Sequence, residues 1–468
     1  MRPPEGAGHR PRESGARTPA PASLGDALAW LDRHVNLEAI ERGAAGRAAA
    51  PTLERIAALL AAMGDPERAY PVVHVTGTNG KGSTTRLCSA LLGAQGLSVG
   101  TYTSPHLEDL NERIVLGGAP IDDVELGEQL AALAALERFL LDTRRLSIPP
   151  TWFELVTATA FRWFADVAVD VAVVEVGLGG RWDATNVADA AVAVVTNVEL
   201  DHVQVLGPTR AAIAREKAGI IKPGSTALVG ERDPEIAAIF AEQARSVGAG
   251  EVWRRGREFD CTSSRPAVGG RVLDIRTPGA SYEDVYLPLF GAHQGDNAAA
   301  ALAAAEALSG RPLAADLVAS AFERVAVPGR LEVVGRHPLL LLDGAHNPAG
   351  AAALSAALAD DFAALERVVA VVGCLRGREP AALLAELAGR LDLVVACAPA
   401  SPRAIAAAEV AAAARELGLR TEVVDAVPEA LARALELAGD DDLVLVTGSL
   451  YVVGAARAAA RERARHAG

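Results

Sequence analysis

The sequence predicts an α/β protein of two unequal units, each on a mostly parallel sheet, the second smaller and Rossmann-like. Three observations carry this reading. At 468 residues the chain exceeds what one hydrophobic core usually organises. Short apolar runs of strand length recur along it, mostly followed by loops and then helix-forming stretches, which is the rhythm of βαβ units. The run at 72–75 passes into Gly77, Gly80 and Gly82 around Lys81, then into Ser83, Thr84 and Thr85 where a helix-forming stretch begins.

That last stretch reads V-V-H-V-T-G-T-N-G-K-G-S-T over residues 72–84, a strand, a glycine turn and a helix N-terminus. The glycines let backbone N–H groups approach a polyphosphate, the helix end adds partial positive charge, and Lys81 supplies a mobile cation for the β and γ oxygens. The predicted ligand is ATP, held by Gly77, Thr78, Asn79, Gly80, Lys81, Gly82, Ser83 and Thr84. The pattern departs from the common G-x-x-x-x-G-K-[ST] loop: Gly77 and Gly80 are closer together, and Gly82 follows the lysine, so Ser83 is the nearest hydroxyl. A glycine-rich turn closing a buried strand is the competing reading. The strand before it and the hydroxyls and helix after it favour phosphate binding. His74, behind the loop, reads as structural.

Half of the residues are apolar and 22% are charged, the composition of a soluble globular protein. The apolar runs at 171–176 and 191–195 fall far short of the ~20 residues that a membrane span needs. A net charge of −14 without a Lys/Arg block argues against nucleic acid and acidic membrane surfaces as partners. Cys88, Cys261, Cys374 and Cys397 are widely spaced and form no CxxC pair, so they read as free thiols in a reducing compartment, and the expected location is the cytoplasm. Residues 1–22 are rich in Pro, Arg, Gly and Ala and lack the apolar stretch of a signal peptide. They read as a disordered arm.

From Ser23, a plausible N-cap, Leu24, Leu28 and Leu31 recur at helical spacing, and a second helix follows Thr52 with Leu53, Ile56, Leu59 and Leu60. After the phosphate loop, a helix over 84–94 and a strand over 98–103 complete a βαβ unit. That strand ends in T-S-P-H-L and then N-E-R-I, placing Ser104 beyond a strand end, where ligands of open parallel sheets lie. The stretch 151–164 reads as a buried helix whose aromatics are core, with Phe153 at its start the one candidate for stacking on a ring. The strand at 170–176 carries Glu175 near its carboxyl end, just before G-L-G-G-R; a carboxylate there is costly in a core but natural beside a metal. The strand at 192–196 leads through N-V-E-L-D-H to His202, an imidazole on the same sheet edge. Lys217 ends a helix reading R-A-A-I-A-R-E-K, and the residues alone leave it open between a surface lysine and a functional one. Residues 225–290 alternate strand-like and helical segments without nameable chemistry. H-Q-G-D-N at the start of an alanine-rich helix returns polar groups, among them Asn297. The Pro/Gly punctuation at 326–332 reads as an interdomain link, giving an arm at 1–22, a first domain at 23–326 and a second at 327–468. The second shows strands at 339–342, 368–372, 393–396 and 443–446. The first of these ends in D-G-A-H-N-P, with Asp343 and His346, and the last in T-G-S-L-Y.

Together these motifs resemble the folylpolyglutamate synthase and dihydrofolate synthase family, a branch of the Mur ligase superfamily. The matching segments are H-V-T-G-T-N-G-K-G-S-T, Y-T-S-P-H-L with N-E-R-I, V-E-V-G-L-G-G-R-W-D-A-T-N-V, L-D-H with L-G-P-T, R-E-K-A-G-I-I-K-P-G, H-Q-x-x-N-A, D-G-A-H-N-P and G-S-L-Y. They run in order from Val72 to Gly454. The resemblance implies an ATP-dependent ligase that joins L-glutamate to the carboxylate of dihydropteroate, of a folate, or of both; a cytoplasmic monomer is the expectation beside it. It implies that Lys81 and its glycines hold the β and γ phosphates, and that Ser104, Glu175 and His202 ligate Mg²⁺. Lys217 would be carbamylated and ligate a second Mg²⁺. Asn297 would contact adenine and Arg330 the phosphates, while Asp343 and His346 would serve the phosphate and glutamate region. A peptidoglycan-type Mur ligase would need an additional N-terminal domain for its UDP-sugar, which the sequence does not show. A phosphate-loop binding module would not need Asp343 and His346 on a second sheet.

Overall fold

The structure, a computed structural model, describes residues 23–39 and 52–467; the arm at 1–22 lies outside them. Eight strands form the first sheet: β1 Val72–Thr76, β2 Val99–Tyr102, β3 Ile114–Leu116, β4 Ala119–Pro120, β5 Val171–Glu175, β6 Val192–Val195, β7 Thr226–Val229 and β8 Val252–Arg254. Their order is β4-β3-β2-β5-β1-β6-β7-β8. All pairings from β2 to β8 are parallel, and β3 and β4 form an antiparallel edge. The central strands are buried on both faces, which is why their sequences read as unbroken apolar runs rather than as alternation.

Helices Lys81–Ala94 and His293–Ser309 cover one face, sharing a core with Val73, Val75, Val173 and Val194. The alanine run 298–301 is buried there, its small side chains permitting close approach to the phosphate-loop helix. Helices Glu54–Ala62 and Trp152–Asp166 cover the other face with Val72, Ala172 and Val174. Trp152–Asp166 opens with a capping box between Thr151 and Glu154. The Ser23 cap is present, its hydroxyl accepting from Asp26 N. The phosphate-loop helix begins at Lys81 rather than at Thr84, so the lysine itself stands in the first turn.

Within 225–290 lies an antiparallel meander that the sequence reading did not resolve: β9 Asp260–Ala267, β10 Gly270–Arg276 and β11 Ser281–Leu287. Only one face of it packs on helix His293–Ser309, so its strands are half polar and carry a weak apolar signal. The second sheet holds β12 Glu332–Arg336, β13 Leu339–Leu342, β14 Val368–Val372, β15 Leu393–Ala398, β16 Thr421–Ala426 and β17 Leu443–Thr447, in the order β12-β13-β17-β14-β15-β16. The four strands expected from sequence are its interior, and all their mutual pairings are parallel. The two that were missed, β12 and β16, are polar edge strands.

The meander and the segment after it are tied to the end of helix Pro348–Asp361, which packs on the second sheet. Buried Arg271 donates to Asp360 and Asp361 at 2.9 and 2.5 Å, Gly291 N donates to Asp361 Oδ2 at 2.6 Å, and the Phe290 and Phe362 rings meet at 4.8 Å, tilted by 50°. No helix among the described residues is long and apolar enough to cross a membrane.

Candidate active site

The residues following β1, β2, β5, β6 and β13 converge on one cavity of about 360 Å³, within the size range of small-molecule sites. The loop after β1 is held by the segment after β6. Asn79 N donates to Asn197 Oδ1 at 3.0 Å, Thr196 Oγ1 donates to Asn79 O at 2.6 Å, and Thr78 Oγ1 accepts from Glu199 N at 2.9 Å. Gly80 caps the helix at a φ of 81°, a left-handed backbone that glycine adopts without strain, and an added Cβ there would overlap Asn297 Oδ1. Helix geometry leaves the amides of Lys81, Gly82 and Ser83 without intrahelical acceptors. Lys81 curls back so that its ammonium donates to Gly77 O and Thr78 O, both at 3.3 Å.

Glu175 ends β5, buried, and its Oε2 accepts from Ser104 N at 3.0 Å. A Cβ at position 82 would stand 3.3 Å from that oxygen, so the glycine in place of the usual hydroxyl makes room for the carboxylate. Burial pushes the Glu175 carboxyl up and the Lys81 ammonium down, and each partly offsets the other's shift. Among the described residues no three His, Cys, Asp or Glu side chains form a ready cation cage. One carboxylate and the hydroxyl of Ser104 on the same cavity are hard oxygen donors, fitting a Mg²⁺ that keeps waters and takes phosphate oxygens. We expect Glu175→Ala to raise the Mg²⁺ concentration for half-maximal ADP formation by ~10- to 100-fold; an unshifted Mg²⁺ titration would remove Glu175 from the metal site.

His202 lines the same cavity at a φ of 49°, a backbone uncommon for a residue with a Cβ. Arg378 Nη2 stands 3.1 Å from its Nε2. A guanidinium only donates, so that nitrogen accepts and the ring is neutral. Burial, with His346 and Lys81 nearby, holds its pKa down to about 3. Its Nε2 can ligate a metal only once Arg378 moves away.

Lys217 is no surface lysine. It ends helix Arg210–Lys217, is buried, and donates to Gly77 O at 2.5 Å, the carbonyl that Lys81 also reaches. The glycine run places it: Arg181 N donates to Glu216 O at 2.9 Å, and a Cβ on Gly180 would press on the carbonyls of Glu216 and Lys217 at 2.8 Å. Burial and the neighbouring Lys81 depress its pKa far below the ordinary lysine value, which favours a neutral, nucleophilic amine.

The second sheet contributes Asp343 and His346. Asp343, buried, accepts from Leu331 N and Ala345 N at 3.0 and 2.9 Å, and burial raises its carboxyl against the pull of Arg330. His346 Nδ1 lies 2.8 Å from Gly344 O, to which it donates as a neutral ring, and burial lowers its pKa to about 4. Arg330 and Asn297 also line the cavity, and Asn297 Nδ2 donates to Gln294 Oε1 at 2.9 Å. Ser83 and Ser104 are on the lining; Thr84 and Phe153 are not. Thr84 is buried behind the loop with its hydroxyl unpartnered. The Phe153 ring backs Gly177, where an added Cβ would meet it at 2.5 Å, and lies 6.2 Å from Tyr102. It supports the cavity wall instead of lining it. His74 is structural, 2.8 Å from Thr185 Oγ1.

Sequence reasoning did not single out Asp201, Asn347 or Arg378. Asp201 pairs with Arg378 and accepts from Asn347 Nδ2 at 3.1 Å. Both Asp201 and Asn347 stood inside quoted motifs, each beside a histidine that drew the attention, while R-G-R-E after β14 carries no motif.

Residues 151–305 match the Mur ligase middle domain, and residues 329–450 the glutamate ligase domain of Mur ligases. The dihydrofolate synthase/folylpolyglutamate synthase of Mycobacterium tuberculosis is 42% identical over 371 residues, 76% of each chain. The chain belongs to the folylpolyglutamate synthase/dihydrofolate synthase family. Solved members of this family share its fold. A Mycobacterium tuberculosis folylpolyglutamate synthase complexed with ADP and AMPPCP superposes with a TM-score of 0.86 at 37% identity, covering 94% of this chain and 98% of that one. A bifunctional folylpolyglutamate synthase/dihydrofolate synthase with Mn, AMPPNP and L-glutamate bound gives 0.80 at 31%, covering 95% and 99%. Family membership makes the chain an ATP-dependent ligase.

Proposed function

We propose that this ligase joins L-glutamate to the carboxylate of dihydropteroate, of a reduced folate, or of both, through an acyl phosphate, with release of ADP and phosphate. The observation that carries the reading is the single cavity in which Lys81, Glu175 and Lys217 of the first sheet face Asp343 and His346 of the second. A carboxylate is a poor electrophile. Its oxygen attacks the γ-phosphorus, ADP leaves, and the glutamate amine then displaces phosphate from the acyl carbon. Lys81 and the amides at the helix N-terminus balance the charge on the transferring phosphoryl group. Asn297 meets the adenine, Arg330 the phosphates, and Asp343 and His346 the phosphate and glutamate region.

The divalent metal seen as Mn in a relative supports Mg²⁺ here, which when bound neutralises and orients the phosphate oxygens. Ser104, Glu175 and His202 are its proposed protein ligands, with carbamylated Lys217 serving a second ion. A division near Val327 and a cytoplasmic monomer belong to the same reading.

Oxygen-18 placed in the pteroate or folate carboxylate is expected in the released phosphate, because the attacking oxygen leaves bound to phosphorus. Unlabelled phosphate during glutamate-dependent turnover would exclude the acyl phosphate.

A further inference from the structure

Asn347 does no chemistry in the scheme above, yet it is buried and every polar atom of its side chain is engaged. Its Oδ1 caps helix Pro348–Asp361 by accepting from Gly350 N at 2.8 Å. Its Nδ2 donates to Asn79 Oδ1 and to Asp201 Oδ2, both at 3.1 Å, and Asn79 Nδ2 returns a contact to Asn347 Oδ1 at 3.3 Å. Asn79 sits inside the phosphate loop, its backbone pinned by Thr196 and Asn197, so only its side chain is turned to the second sheet. Asp201, also buried, gathers two further groups of the second sheet: Arg378 pairs with it, and His346 Nε2 lies 3.7 Å away.

We propose that Asn347 is a positioning residue, a latch that locks the second sheet over the phosphate loop and makes domain closure and nucleotide binding one coupled event. Its contacts with Asn79 and Asp201 form only when the loops of the two sheets face each other. They therefore bias the closed arrangement, and a nucleotide that favours that arrangement binds more tightly while they hold. A buried amide is suited to this. It satisfies two acceptors on the first sheet without adding a charge, whereas a carboxylate in its place would face Asp201.

The test is a swap. Asn347→Asp keeps the helix cap, since aspartate caps as well as asparagine, but sets two carboxylates against each other. Asp201→Asn combined with Asn347→Asp restores the donor–acceptor pair with its direction reversed and leaves a single carboxylate in it. Small-angle scattering on the ligand-free proteins is expected to show a larger radius of gyration for Asn347→Asp and a return towards the unmodified value for the double variant. Affinity for Mg²⁺-AMPPNP, read by calorimetry, is expected to weaken about tenfold in the single variant and to recover in the double. Unchanged dimensions and affinity in Asn347→Asp, or a double variant no better than the single one, would overturn the latch. The nucleotide measurement rests on the ligase reading; the scattering does not, so a chain that bound no nucleotide would fail that reading while the scattering still decided on the latch.

Discussion

Lys81→Ala is expected to reduce glutamate-dependent ADP formation by on the order of a hundred- to a thousand-fold, the loss typical when one preorganised charge-stabilising group is removed. The fold should survive. Lys81 is not among the buried residues of its helix, and its ammonium donates to two loop carbonyls, both at 3.3 Å. Its removal takes a cation away from buried Glu175, but Ser104 N still donates to that carboxylate and the Arg330 and Arg86 charges still act on it. Circular dichroism should therefore show a native spectrum and a melting temperature within a few degrees of the parent. A folded variant with undiminished turnover would dismiss the phosphate-loop reading, whatever the family resemblance.

How much of this was legible in the sequence depended on burial and on distance along the chain. Central parallel strands such as Val171–Glu175 announce themselves because both faces are dry, and the strand-end rule then places Ser104, Glu175 and His202 on one sheet edge beside Lys81, where the cavity lies. Half-wet elements such as Asp260–Ala267 and Thr421–Ala426 lack that signal and were missed. Side-chain orientation was not legible either. A phenylalanine at a helix start looks the same in a string of letters whether it faces a ligand or, like Phe153, backs a glycine. The hardest part was pairing across the cleft: Asn79 and Asn347 are 268 positions apart, and two asparagines carry no mutual pattern. Lys217 lay between these cases. Its own helix has a weak apolar pattern, and its burial comes from the glycine run at 179–180 packing over it, a tertiary event that the residues alone left open.

That burial sets up the sharpest test of the proposed chemistry. To capture CO₂ a lysine amine must be neutral: the nitrogen lone pair attacks carbon, one proton leaves, and the neutral amine becomes an anionic carbamate. Burial and the Lys81 charge both push Lys217 towards that condition by acting against its protonated form. In exchange the carbamate would place negative charge beside Lys81 and beside any metal between them, a gain that an ordinary ammonium in the same place would turn into repulsion. Lys217→Ala is therefore expected to lose activity on the order of a hundred-fold or more, as for loss of a metal-positioning group. Millimolar acetate or formate should recover part of it by standing where the carbamate stood. With carbon-13 bicarbonate the unmodified protein should show a carbamate resonance that the variant lacks. No adduct in the parent, together with a nearly active Lys217→Ala, would return this lysine to a purely structural hydrogen bond with Gly77.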